Sequence, residues 1–411
     1  MEQIKDTDFM LSNYMLKLVT YSLKLTGTLG FCPLQVDHIQ GKITVNTWRW
    51  ARTLHNFLWL VCYALIVLPA HVVELYQSGT GAQTFRSNSA VIYHFSAMIL
   101  CYLFTMSLGI FVLRPLSIAQ TFNSIYKYVE TFPEKYISTY NRHKEKKKMK
   151  LFELCITGFT ISVFFTVILI IIHCIAYPTS SAYPAYRVDA ASPFATIPVY
   201  ILSCAWFSIS GLCYCGVANL LTVHLLLYFF YIFPIIRSEL RRGCPHYKTL
   251  ELLRDPYHLE VNYRALQLLI AAFNIEIGVI LLPIQAFIVL TILLSNASLT
   301  FQWEIFEVKT KIFLITLSIV FLVGWSLFLW IAGQQYRECK KTVASWKLES
   351  WNKKEDRMYM KRVKLACMTI SFGDGQRFII RPTRVLQFIN CVNRNTFKAF
   401  AVYKKMFGYR E

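Results

Sequence analysis

The chain has 411 residues, of which 55% are hydrophobic and only 16% charged, and 43 Lys and Arg against 23 Asp and Glu give it a formal charge of +20. A soluble domain carries about a quarter charged residues. Here the apolar residues are gathered into blocks long enough to cross a bilayer, which leaves no room for a soluble enzyme. The basic residues lie between those blocks, where anionic headgroups meet them, and form no basic face on a folded domain, so the charge argues against nucleic acid as a partner.

In chain order, residues 1–53 form an N-terminal region that contains Lys5, Lys17 and Lys24 and lacks a compact apolar core followed by a cleavage site. No cleaved signal peptide is expected, and the first span serves as the insertion signal. A ruler of about twenty apolar residues then gives six spans: Leu54 to Glu74, Ala90 to Leu113, Leu151 to Tyr177, Val199 to Leu221, Leu266 to Leu294 and Ile312 to Ala332. A seventh, Thr383 to Phe407, is interrupted by Arg394, Lys398, Lys404 and Lys405. Between them, Leu221 to Ile236, Tyr247 to Arg264 and Arg337 to Lys364 mix apolar and charged residues at helical spacing. Helices that run past a membrane must bury their apolar faces against one another, which predicts a helical bundle beneath it. Pro69, Pro234 and Pro283 are expected to kink their helices.

Charge fixes the expected orientation. The connections after spans two, four and six are rich in Lys and Arg; those after spans one and three have only Arg86 and Arg187, and the one after span five none before Lys309. Positive charge stays on the cytoplasmic side, so the N-terminus is expected inside and the C-terminus outside, the reverse of a G-protein-coupled receptor. The sequon Asn296-Ala297-Ser298 is expected on an outer connection, with Asn296 a candidate glycosylation site.

Several polar residues stand out against this apolar ground. On the last span Gln387, Cys391, Arg394, Lys398 and Lys405 fall near one stripe, and Val385, Phe388, Val392, Phe400 and Phe407 fall largely elsewhere. Polar residues on a spanning helix must face protein or water, so this stripe reads as a water-lined conduit, or as a helix lying at the interface or docked in the bundle. A line of positive charge in a conduit repels cations unless its basic positions sit in a wide vestibule. Glu276, beside Asn274, is the one carboxylate well inside a span; a structural ion pair and a coupling role both fit it. Tyr93, His94, His173, Trp206 and Phe313 fall in the expected outer halves of the spans and suit a small-molecule pocket or aromatic packing.

Enzyme motifs are lacking: the sequence has no HExxH, GxSxG, phosphate-binding glycine loop or paired intramembrane carboxylates. The twelve cysteines include no CxxC and no pairs at metal-ligand spacing, so neither a metal site nor a cofactor is expected.

Two stretches carry a family resemblance. Tyr21 to Leu34, with Gly27, Gly30 and Pro33, is similar to the short apolar segment that precedes the first span in the arthropod gustatory and odorant receptor superfamily. Phe372-Gly373 through Gly375, Phe378 and on to Thr396-Phe397 resembles the glycine turn and last helix of that family. The gustatory closing pattern of Thr-Tyr, five apolar residues and Gln-Phe is altered here: Lys398 interrupts the apolar five and Tyr403-Lys404 replaces Gln-Phe.

The resemblance implies an all-α integral membrane protein with seven transmembrane helices. It divides into the N-terminal region, spans one to six with their extensions over 54–336, a cytoplasmic anchor over 337–382, and a pore-lining helix with a short tail over 383–411. It implies a homo- or hetero-tetrameric, ligand-gated, cation-conducting channel subunit for a tastant or odorant, in the plasma membrane of a sensory neuron. Its gate falls among Gln387, Arg394, Lys398, Phe400, Tyr403 and Lys404, where a lysine is at odds with simple cation conduction. The competing readings are a non-conducting relative or co-subunit, an odorant receptor, and a secondary transporter.

Overall fold

The computed structural model describes residues 13–37, 42–67, 105–138, 223–301, 308–348, 353–363, 366–372 and 378–407, together with isolated positions, mostly between 150 and 221. The described chain is mostly helical. It opens with α1 (Asn13–Thr28), which closes at Gly30 in the left-handed region (φ 78°), and continues into a hairpin of β1 (Leu34–Asp37) and β2 (Lys42–Val45). Asn46 then caps α2 (Thr47–Cys62), its side chain accepting from the Arg49 amide at 3.1 Å. The helix of the first span therefore starts seven residues before Leu54, where the apolar block begins, because a capping Asn sets its start.

Pro115 opens α3 (Pro115–Tyr136), where its missing N–H costs nothing. Ile118, Phe122, Ile125, Val129, Phe132 and Tyr136 are buried at alternating steps of four and three, the stripe of a helix with one apolar face. On its other side Asn123 clamps the hairpin, since its amide accepts from the Ile43 N–H and donates to the Ile43 carbonyl, both at 2.8 Å. This hairpin is not legible in the hydropathy.

The helical pattern after Leu221 continues through two π turns, Tyr228–Ile232 and Ile235–Glu239, closed by bonds from Phe233 N to Tyr228 O and from Leu240 N to Ile235 O. Pro234 lies between them. A 3₁₀ turn, Glu251–Arg254, leads into α4 (Pro256–Phe301), a single helix of 46 residues, about 69 Å long at 1.5 Å per residue. After a short connection comes α5 (Val308–Leu348), 41 residues long. Each joins an expected span to part of its expected extension in one continuous helix: Tyr247 to Arg264 enters α4 only from Pro256, and Arg337 to Lys364 leaves α5 at Leu348. These are the two helices, among the described residues, long and apolar enough to cross a membrane. Leu268, Ile275, Val279, Leu282 and Leu290 on α4, and Ile315, Ile319, Val323 and Leu327 on α5, leave apolar surface exposed.

Then follow α6 (Lys354–Arg362), a two-residue hairpin of β3 (Ser371–Phe372) and β4 (Phe378–Ile379), and α7 (Arg384–Phe407). Gly373 and Gly375 lie outside the described residues. One large core joins α3, the π stretch, α4, α5 and α7 through Phe122, Tyr228, Tyr263, Phe273, Trp346 and Phe388.

The sequon requires a correction. Asn296 belongs to α4 and not to a connection, its Oδ1 accepts from Ser318 Oγ on α5 at 2.8 Å, and Ser298 is buried. The Asn296 side-chain carbonyl oxygen thus ties α4 to α5.

Candidate functional site

The residues singled out on the last span come together on α7. The start of that helix is held from two directions. Asn274 on α4 is buried; its Nδ2 donates to the Thr369 carbonyl at 2.7 Å and its Oδ1 accepts from the Ser371 amide at 3.2 Å. This side chain thus supplies both backbone bonds that the approach strand would otherwise lack. From α5, Gly333 presents bare backbone to Pro382, the residue that ends the strand-to-helix link. The Arg384 and Gln387 amides then bond back to the Arg381 and Thr383 carbonyls, starting the helix.

Once started, α7 buries one face and opens the other. Phe388 and Val392 are buried, with Val385 and Ile389 packed beside them against the core. Gln387, Asn390, Cys391, Arg394 and Lys398 are exposed and, with Asn395, line a groove of about 430 Å³. Gln387 Oε1 accepts from Arg384 at 2.8 Å, and Asn395 Nδ2 donates to Cys391 Sγ at 3.3 Å. Phe400 is half-buried and meets Phe301 of α4 edge-on, ring centres 5.4 Å apart. Tyr403 and Lys404 belong to α7, but their side chains lie outside the described residues, as does that of Phe313 in α5. Tyr93, His94, His173 and Trp206 also lie outside them. The pocket expected from the outer aromatics is therefore not described.

Glu276 is buried on α4, away from the groove. Its Oε1 accepts from Ser117 Oγ at 2.6 Å and lies 3.9 Å from Arg114 Nη1, which also donates to the Ile275 carbonyl at 3.2 Å. The carboxylate ties α4 to the first turn of α3, the geometry of a structural ion pair.

Reading the sequence also passes over a thiol cluster. Tyr263 Oη of α4 lies 2.9 Å from Cys339 Sγ of α5 and donates to the Ala366 carbonyl at the same distance, and the Met368 amide donates to Cys339 Sγ at 3.1 Å. The neighbouring Cys367 thiol is half-buried. Its pKa is lowered by a hydrogen bond from Cys339 and by the charges of Lys340 and Lys347, whereas burial raises the Tyr263 hydroxyl. Nothing in the sequence brings these residues together, because they are separated by dozens of positions and sit in three different segments.

No protein-family model matches this sequence, and no curated protein matches it in a sequence search. In structure it is similar to the insect olfactory receptor OR5 from Machilis hrabei, solved in complex with eugenol. The TM-score is 0.57 at 11% sequence identity, and the likeness covers 95% of this chain and 100% of that one. The two chains share a fold along nearly all of their length.

Proposed function

We propose that the chain is a chemosensory receptor of the insect type, a subunit of a ligand-gated ion channel and not an enzyme. The observation that carries this reading is the shared fold over nearly all of both chains. The receptor of that structure holds a small molecule, and by analogy this chain takes a tastant or odorant. A pocket near Tyr93, His94, His173, Trp206 and Phe313 belongs to this reading.

Seven spans with the N-terminus inside and the C-terminus outside follow from the distribution of Lys and Arg. The long overruns of α4 and α5 support a cytoplasmic anchor bundle over 337–382, into which both helices run. α7 is long enough to span but too polar to pass as a lipid-facing helix. One apolar face against the core and one polar face open to solvent is what a pore-lining helix requires. Four such chains around an axis would turn their α7 grooves toward a common conduit. A gustatory role in the plasma membrane of a sensory neuron rests on the family resemblance of the two ends of the chain, and the altered closing pattern of α7 marks a divergent member.

The test is expression of the full chain in cells, with eugenol and a panel of tastants as probes. Ligand-evoked current, with tetramers on purification, is the expected result. A monomeric protein that passes no current but takes up a solute would replace this reading with a carrier.

A further inference from the structure

We propose that Cys367 and Cys339 form a modification site for small hydroperoxides, in which Cys367 is oxidised first and Cys339 closes the product into a reversible disulfide. That bond would fasten α5 to the strap, residues 366–372, that leads toward α7. The site calls on neither a ligand pocket nor conduction, and so goes beyond the receptor reading.

The geometry starts with how the strap is held. From α4, Tyr263 Oη and Gln267 Nε2 donate to the Ala366 carbonyl at 2.9 and 2.6 Å, and Asn274 bonds the Thr369 carbonyl and the Ser371 amide. From α5 comes Cys339, whose Sγ accepts from the Met368 amide at 3.1 Å and lies 2.9 Å from Tyr263 Oη. The Met368 nitrogen is separated from the Cys367 α-carbon by one carbonyl carbon, so the Cys367 side chain starts beside Cys339 Sγ. A hydrogen bond to sulfur is weak. The hold of α5 on the strap at this point is therefore one that a covalent bond would strengthen.

The two thiols differ in the way that such a reaction needs. Cys339 is fully buried, whereas Cys367 is half-buried and follows the exposed Ala366, which gives a small oxidant access to it. Cys339 donates a hydrogen bond to Cys367, and with the charges of Lys340 and Lys347 this lowers the Cys367 thiol to about 6, so it is largely thiolate near neutral pH. That hydrogen bond and burial hold the Cys339 thiol up, so it stays protonated. Packing as a small apolar filler accounts for Cys339, but not for a half-exposed thiolate beside two lysines.

The chemistry balances without a cofactor. The Cys367 thiolate attacks one oxygen of the hydroperoxide; an S–O bond forms, the O–O bond breaks, and the other oxygen takes a proton and leaves as water or an alcohol. Cys367 has then lost two electrons and is a sulfenic acid. Cys339 attacks that sulfur, an S–S bond replaces the S–O bond, and the departing hydroxide leaves as water with the Cys339 proton. On the orientation proposed above, the strap lies on the cytoplasmic side, where thiols are kept reduced. A disulfide there forms on oxidant exposure and is undone by thiol exchange, which suits a switch and not a permanent staple.

The test uses the full chain in lipid nanodiscs, treated with hydrogen peroxide, alkylated with N-ethylmaleimide and digested without reduction. Mass spectrometry should find a peptide pair joined through Cys339 and Cys367 that a phosphine reductant abolishes. Cys367 joined to another cysteine, or both thiols alkylated at a dose that oxidises a free cysteine peptide, overturns the site. Cys339→Ser keeps a donor beside Cys367 but cannot close the disulfide, so dimedone should trap at least about fivefold more Cys367 sulfenic acid than in the native chain. Equal trapping overturns the closing role of Cys339. Oxidation of the native chain should also slow amide exchange across 366–370 at least about threefold, with no change in Cys367→Ser. Exchange unmoved by a formed disulfide overturns the fastening of α5 to the strap. The cross-link and the native-chain exchange need no variant, so they decide the matter even where a substitution disturbs folding.

Discussion

Gly333 of α5 and Pro382, two residues before α7, meet backbone to backbone: a β-carbon on Gly333 would lie 2.7 Å from the Pro382 α-carbon. Neither partner is a flexible side chain, so neither can swing aside.

Gly333→Ala therefore forces α5 and the start of α7 apart. Alanine improves helix propensity by up to about 1 kcal/mol, but overpacking against backbone costs about 1–3 kcal/mol, and the clash is expected to win. The purified variant should melt at a lower temperature in size-exclusion thermal assays. An unchanged or raised midpoint would show that the link between α5 and α7 yields easily.

Asn274→Leu removes the side chain that satisfies the Thr369 carbonyl and the Ser371 amide. Leaving two buried backbone groups without partners costs about 2–5 kcal/mol. The expected signature is local: amide exchange accelerates across 369–372 more than in α3. A uniform acceleration would mean that Asn274 supports the whole core and not this strand.

His224 gives a pH dependence with a definite sign. Its ring stacks on Phe122 at 3.5 Å between centres, its Nδ1 meets the Leu220 carbonyl at 2.6 Å, and Nε2 has no hydrogen-bond partner among the described residues. Burial lowers its pKa from 6.5 to about 4. The unfolded chain then binds a proton that the folded chain refuses, so the stability from this residue is complete above about pH 6.5 and is lost as pH falls toward about 4. The loss is on the order of 3 kcal/mol. Denaturation profiles of His224→Phe, which keeps the stack, should be flatter over that interval than those of the native chain, and equal slopes would contradict the assignment.

Cys367 should stay reactive at a pH where an ordinary thiol is mostly protonated, because Cys339 donates to it and Lys340 and Lys347 stand nearby. Iodoacetamide labelling followed across pH should show Cys367 reacting at lower pH than a free cysteine peptide in solution. Cys339→Ala should move the Cys367 profile upward, and a profile unmoved by that change would leave the hydrogen bond without effect.

How far the sequence could be read depended on the kind of signal. The long apolar runs of α4 and α5 declared themselves, as did the two-faced α7, because hydropathy and periodicity report directly on burial. Polar residues whose partners lie far off in the chain did not. In the sequence Asn274 is only a neighbour of Glu276, yet it holds a strand about a hundred positions away, and Glu276 itself serves the opening of α3. Asn296 matched a sequon, but a sequon is a local pattern and carries no information about helix ends. The two short hairpins were invisible because a strand of two to four residues has no measurable period, and β2 depends on an amide from Asn123 that only the fold brings near.

The π turns at Tyr228–Ile232 and Ile235–Glu239 each spend one residue more per turn than α winding. That surplus works as a vernier, adjusting the rotation of the chain without changing its path. Ile236 and Leu240 are set so that their carbonyls receive Thr342 Oγ1 at 2.8 Å and Trp346 Nε1 at 2.7 Å from α5. A helix wound at a single pitch would turn those acceptors away. Length variation in this stretch is therefore constrained more tightly than its plain apolar composition suggests, since gaining or dropping a single position misaligns both docking points at once.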